Sequence, residues 1–268
     1  MHFTSRTLLD DGVIEREFTL DAFTGILWMP PTAAPSSPVP LLLLNQPGGL
    51  GTRRMYPRLV ARAHAAAADG FASVTIELPG TGNRPPLPGA EQARIDLRAA
   101  LAAGEKPSPD VIDRLVLPLV EAAVPEWQAT LDAVLALPGT GSKVGSSGGV
   151  IAVGVRLAVV EPRIAAAGLC AGSYVPLSTM DEARRVTIPL HMLCGGRRGG
   201  MIVRPLWICS TRSVPLRRRW RPTWVGTRGC RRLRGRMRGG SLCVTSLKCR
   251  AEADRKLRPR SYHPRPHL

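Results

Sequence analysis

Aromatic residues make up only 4% of the 268 residues, and no run of about 18 apolar residues occurs anywhere, which argues against a membrane-spanning helix. The six cysteines, Cys170, Cys194, Cys209, Cys230, Cys243 and Cys249, form no C-x-x-C pair and keep no regular spacing with histidines. A zinc framework is therefore not expected, and neither is any other cofactor. Met1 to Asp11 lacks the charged start and apolar run of a secretory leader, so the expected compartment is the cytoplasm. No repeat with a period of about 20 to 50 residues is visible, which argues against a solenoid. Acidic residues almost vanish after residue 196. Residues 197–268 hold 21 basic and two acidic residues, Glu252 and Asp254, a net +19; the first 196 hold 16 basic and 18 acidic, a net −2. The overall charge of +17 describes neither part.

What remains divides into a core of residues 1–196 and an Arg-rich tail of residues 197–268. The core is long enough, and apolar enough at 44% hydrophobic content, for one catalytic-size domain. Ile14 to Leu20 and Thr24 to Met29 alternate as strands of an opening hairpin. Leu41 to Leu44 and Ala72 to Leu78 are uniformly apolar, as strands buried on both faces of a parallel sheet are. Between them, Tyr56 to Ala68 has helical spacing and Gly70 as a stop. Ala90 to Gly104 and Pro109 to Leu137 are expected to be helical, the second broken at Pro118 and Pro125, and residues 83–138 form a lid-like insertion. Strand Ser142 to Gly145, helix Gly149 to Val160, strand Ile164 to Leu169 and strand Val186 to Leu193 continue the alternation, which predicts an α/β fold. Beyond Gly195 arginines interrupt every apolar face, and the tail reads as disordered.

Gly145-Ser146-Ser147-Gly148-Gly149 fits the G-x-S-x-G nucleophile elbow, in which small flanking residues permit a sharp turn from strand to helix beneath an exposed serine. Ser147 is the candidate nucleophile. The turn Asn45-Gln46-Pro47-Gly48-Gly49-Leu50 follows the first buried strand, where backbone N–H groups can meet a developing oxyanion. With these two loops in hand, residues from about Phe18 to Leu193 resemble the α/β-hydrolase family, especially its compact esterase or peptidase-like members. Leu78-Pro79-Gly80-Thr81-Gly82-Asn83-Arg84 is similar to the family's Leu-Pro-Gly-x-Gly-Asp-Arg stretch. Gln46 stands where the family's oxyanion loop has His, and Ser146 where its elbow has Tyr. The resemblance implies a three-layer fold with a mostly parallel sheet, an oxyanion and substrate site at Gln46, Gly48, Gly49 and Gly148, and a small-molecule acyl substrate.

The resemblance also implies an acid just after strand Val186 to Leu193 and a histidine in a later loop. Arg197 and Arg198 occupy the first place. Of the five histidines, His64 lies on an upstream helix, His191 in a strand as a core histidine, and His263 and His267 in a Pro/Arg-rich terminus. Asp181 and Glu182 follow strand Ile164 to Leu169, where a solvated helix start is the simpler reading. The sequence therefore predicts a serine hydrolase impaired by loss of its triad partners and of its last strand and helix. One account of the tail is a shifted reading frame. A family-like Ala-Asn-Met-Gly-Gly-His-Thr-Gly-Val loop, read one base late, gives Pro222 to Cys230, and Met201 to Cys209 arises similarly from an amphipathic helix opening. Two further classes stand beside the hydrolase. One is nucleic-acid binding through the tail, disfavoured by its near lack of lysine. The other is a non-catalytic relative that keeps only the pocket. Oligomeric state is left open.

Overall fold

The computed structural model describes residues 1–171 and 174–194, with 171 and 192–194 described by backbone alone. The chain opens with β1 (His2–Phe3), β2 (Thr7–Leu8), β3 (Ile14–Leu20) and β4 (Phe23–Met29). Next come β5 (Val39–Asn45), α1 (Thr52–Ala68), β6 (Ala72–Ile76), α2 (Ala90–Ala102) and α3 (Pro109–Leu135). It continues through β7 (Thr140–Gly148), α4 (Ile151–Val160), β8 (Ile164–Ala171), α5 (Leu177–Ala183) and β9 (Leu190–Cys194). The strands form one sheet in the order β1-β3-β4-β6-β5-β7-β8-β9, with β2 beside β3. Pairing is antiparallel from β1 through β4 to β6 and parallel from β6 to β9. The expected mostly parallel sheet with an antiparallel opening is what forms.

Alternation along β5 separates the two faces of the sheet. Leu41 and Leu43 pack with Val74, Ile76 and the α3 residues Leu119, Ala123, Trp127 and Leu131. Leu44 turns the other way, into a cluster with Trp28, Met55, Leu59 and Ala63 of α1. Helices thus cover both faces, and each fully buried large side chain contributes roughly 1.5–3 kcal/mol.

Four expected boundaries change. Helix α1 begins four residues before Tyr56, because both carboxylate oxygens of Glu77, at the end of β6, accept from Thr52 N–H at 3.0 and 3.1 Å. An acceptor at a helix start satisfies an otherwise orphaned donor, and here it comes from a distant strand. Helix α3 runs unbroken through Pro118 and Pro125. Pro125 and Glu121, the residue four before it, are exposed, and Pro118 is half-buried, so freed carbonyls on this face are open to water. The opposite face of α3 buries Val116, Val120, Val124, Trp127 and Val134, and this packing outweighs the propensity cost. Helix α3 thus packs one face into the main core. Finally, β7 extends to Gly148 and α4 begins at Ile151, so strand replaces the expected turn at residues 146 to 148. The last expected strand is also shorter, starting at Leu190 rather than Val186.

Candidate active site

The strands β5 and β7 end side by side, with Leu44 paired to Ser147 and Asn45 to Gly148. Gly148 and Gly149 then reverse the chain with φ of +79° and +85° before α4 begins. A Cβ on Gly149 would stand 2.3 Å from Cβ of Asn45, so glycine is required there by crowding as well as by conformation. The sharp strand-to-helix turn is present, but its left-handed residues are the two glycines, and Ser147 keeps a strand conformation one step below them.

Consequently Ser147 presents its side chain to a face of the sheet. It shares the α1 side with Leu44, and Arg62 of α1 reaches it directly. The Arg62 guanidinium donates to three oxygens: Asn45 O at 2.9 Å, Ser147 O at 2.7 Å and Ser147 Oγ at 3.2 Å. No carboxylate among the described residues forms an ion pair with Arg62. Burial pushes its pKa down, and the neighbouring Cys170 partly opposes that shift. Arginine remains a cation at any working pH. Helical spacing could have revealed this residue: 59, 62, 63 and 66 fall on one face, and Leu59, Ala63 and Ala66 are buried there.

The loop after β5 approaches the same turn. A Cβ on Gly48 would touch Val150 Cγ2 and Leu119 Cδ2, each at 3.3 Å, so this glycine lies between the start of α4 and helix α3. Gly49 is left-handed and open on its side-chain side. Gln46, in contrast, is 0% exposed. Its Nε2 donates to Ile76 O at 2.7 Å and Thr52 Oγ1 at 2.9 Å, which ties β5 to β6 and to the start of α1. Gln46 braces the loop from beneath. Ser146 is likewise interior, accepting from Asn45 Nδ2 at 2.9 Å. In the Leu78–Arg84 loop, Thr81 Oγ1 donates to Glu77, and Arg84 pairs with Glu126 and donates to Glu77 O at 2.8 Å. That stretch holds the neighbouring strand end in place.

The other candidates lie apart from Ser147. His64 pairs with Asp11 near the opening hairpin. Asp181 and Glu182 sit at the end of α5, paired with Arg184 and Arg156. His191 is not a fully buried core residue and has no side-chain hydrogen bond among the described residues: it is partly exposed on β9, in register with Gly168, which is itself in register with Ser147. In-register neighbours share a face, so His191 and Ser147 lie on the same side, about 10 Å apart across two strand spacings. No histidine hydrogen-bonds Ser147 among the described residues. Arg197, Arg198, His263 and His267 lie outside the described residues, as does the whole Arg-rich tail. Among the described residues no His/Cys/Asp/Glu group is arranged to hold a metal ion, and no helix is long and apolar enough to cross a membrane.

No protein-family model matches this sequence, and no curated protein matches it. Among solved structures, the chain is similar to a cold-adapted esterase from an Arctic intertidal metagenomic library, at 21% identity and a TM-score of 0.53, over 72% of this chain and 77% of that one. An acetyl xylan esterase from Thermoanaerobacterium aligns at 14% identity and a TM-score of 0.43, over 68% of this chain and 54% of that one. The element order, the parallel half-sheet flanked by helices on both faces, and the first of these likenesses together establish the α/β-hydrolase fold.

Proposed function

We propose that this chain, built on the α/β-hydrolase fold, acts on an ester, thioester or amide carbonyl of a small acyl substrate, with Ser147 as nucleophile. Backbone N–H groups of Gly148 and of the Gly48–Gly49 loop would receive the oxyanion, and Gln46 supports that loop. The observation that carries this reading is the meeting of two loops. Gly48 lies against Val150 at the sheet's carboxyl edge, beside the reversal at Gly148 and Gly149. Acyl-transfer chemistry needs a nucleophile and fixed donors at one such edge. A serine also needs help to lose its proton, and no histidine or carboxylate reaches Ser147 among the described residues. The reading is therefore of an impaired enzyme, with turnover orders of magnitude below that of a complete triad.

The test is active-site labelling. A fluorophosphonate should modify the purified chain at Ser147, found by peptide mass mapping, and Ser147→Ala should abolish the label and the slow hydrolysis of p-nitrophenyl acetate. Modification elsewhere, or none, would remove Ser147 from the reaction. A second reading, a binding module that keeps the pocket without turnover, is favoured by the lack, among the described residues, of any histidine or carboxylate bonded to Ser147. It predicts saturable binding of an acyl ligand by a chain that takes no label.

A further inference from the structure

We infer that Arg62 supplies the activation of Ser147, stabilising its deprotonated oxygen in the place of a histidine base. This rests on the proposed role of Ser147 and concerns how that serine reacts. Three observations converge. Arg62 Nη2 lies 3.2 Å from Ser147 Oγ, within hydrogen-bond reach of the atom that would attack. The same guanidinium is anchored at 2.7 and 2.9 Å to the carbonyl oxygens of Ser147 and Asn45, which holds it across the ends of β5 and β7. No carboxylate among the described residues forms an ion pair with it, so no adjacent counter-charge offsets its effect on Ser147.

A cation within about 4–6 Å favours the charged form of an acid by roughly one to three pKa units, which is about a ten- to thousand-fold gain in alkoxide at fixed pH. Guanidinium stays protonated and cannot itself accept the proton. In the step that follows, hydroxide takes the Ser147 proton and becomes water, the Oγ attacks, and the leaving group departs. With a fluorophosphonate the Oγ–P bond forms, the P–F bond breaks, and fluoride leaves. Two other titratable groups stand on this face: Cys170 on β8, which is exposed, and His191 on β9, two strand spacings away, while the Asn45 side chain turns to the opposite face and donates to Ser146. Neither titratable group hydrogen-bonds Ser147 Oγ.

The experiment is the pH dependence of fluorophosphonate labelling between about pH 6 and 9, by intact mass, for the full chain and for Arg62→Gln, Arg62→Lys, His191→Gln and Cys170→Ser. The wild-type rate should rise in proportion to hydroxide with no inflection near the usual histidine range. Arg62→Gln should lower it by at least about tenfold at every pH, Arg62→Lys should keep most of it by retaining the charge, and His191→Gln and Cys170→Ser should leave the profile unchanged. A merely structural Arg62 would not make the conservative variant rescue the rate. Unchanged labelling in Arg62→Gln overturns this inference alone, and so does an inflection near pH 6.5 that His191→Gln removes. If Arg62→Gln does not fold, the wild-type profile and Arg62→Lys decide. No wild-type labelling of Ser147 at any pH overturns this inference together with the proposed function.

Discussion

Glu15 is the most consequential polar residue away from the site. It is 7% exposed, yet its carboxylate accepts from Trp28 Nε1 at 2.6 Å and from the Tyr56 hydroxyl at 2.8 Å, tying β3, β4 and α1 together. Glu15→Ala leaves both donors unpaired and should cost about 1–3 kcal/mol or more, read as a lower urea midpoint at an unchanged slope. Burial, then the hydrogen bond to Glu15, pushes the Tyr56 pKa up to about 12. A raised pKa in the folded state contributes stability that is whole below the unfolded value near 10 and declines as pH rises toward 12. Denaturant titrations at pH 9, 10, 11 and 12 should show that decline, and Tyr56→Phe should remove this part of it. At this scale the sequence revealed the glycines and serines of the turn, because small residues at that spacing serve few other ends. It did not reveal that Gln46 points inward, or that Ser147 meets an arginine, because both facts depend on which neighbours arrive from elsewhere in the chain.

Helix α3 and the turn before α4 show how elements resolve local conflict. Each interior proline forfeits a hydrogen bond and crowds the preceding turn, at a typical cost near 3 kcal/mol. Pro125 is exposed, so Pro125→Ala should relieve part of that cost and raise the melting temperature by a few degrees in a differential scanning measurement. A fall in melting temperature would mean that the proline's geometry is needed. Trp127, fully buried between α3 and the sheet, should cost about 3–5 kcal/mol as Trp127→Ala, measured by equilibrium unfolding. Gly149→Ala forces a side chain into a left-handed residue 2.3 Å from Asn45 Cβ, and should yield little soluble protein or a strongly lowered melting temperature. The order of the long strands and helices from β3 to β9 followed from hydrophobic period, whereas the two-residue strands β1 and β2 and the short helix α5 did not. Nor did the ends of the long elements: Glu77 starts α1 early and one-sided burial carries α3 past its prolines.

At the scale of the whole molecule, the chain joins a near-neutral part to a strongly cationic one. The described residues account for the neutral part as one sheet with helices on both faces, and the acid and histidine implied by the family resemblance belong to positions beyond them. The shifted-frame account makes a direct prediction. Sequencing the encoding DNA from the codons for Leu190 to Gly200 onward should show, in another frame, an acidic residue followed by a Gly-Gly-His loop, and the chain restored to that frame should hydrolyse p-nitrophenyl acetate at least about a thousandfold faster. If no such frame exists, the arginines belong to the protein. Nucleic-acid binding with a steep salt dependence then becomes the expectation for residues 197–268.

By itself the sequence determined the alternation of strand and helix, the parallel half-sheet, the two glycine-bearing loops and the break in charge at residue 196, since each of these is a property of neighbours along the chain: apolar period, turn chemistry, local composition. Only the tertiary structure decided which atoms those loops bring together. The pairing of Leu44 with Ser147 and of Asn45 with Gly148, the burial of Gln46, and the reach of Arg62 to Ser147 Oγ join residues as many as 103 positions apart, and no local pattern specifies such contacts before the sheet assembles.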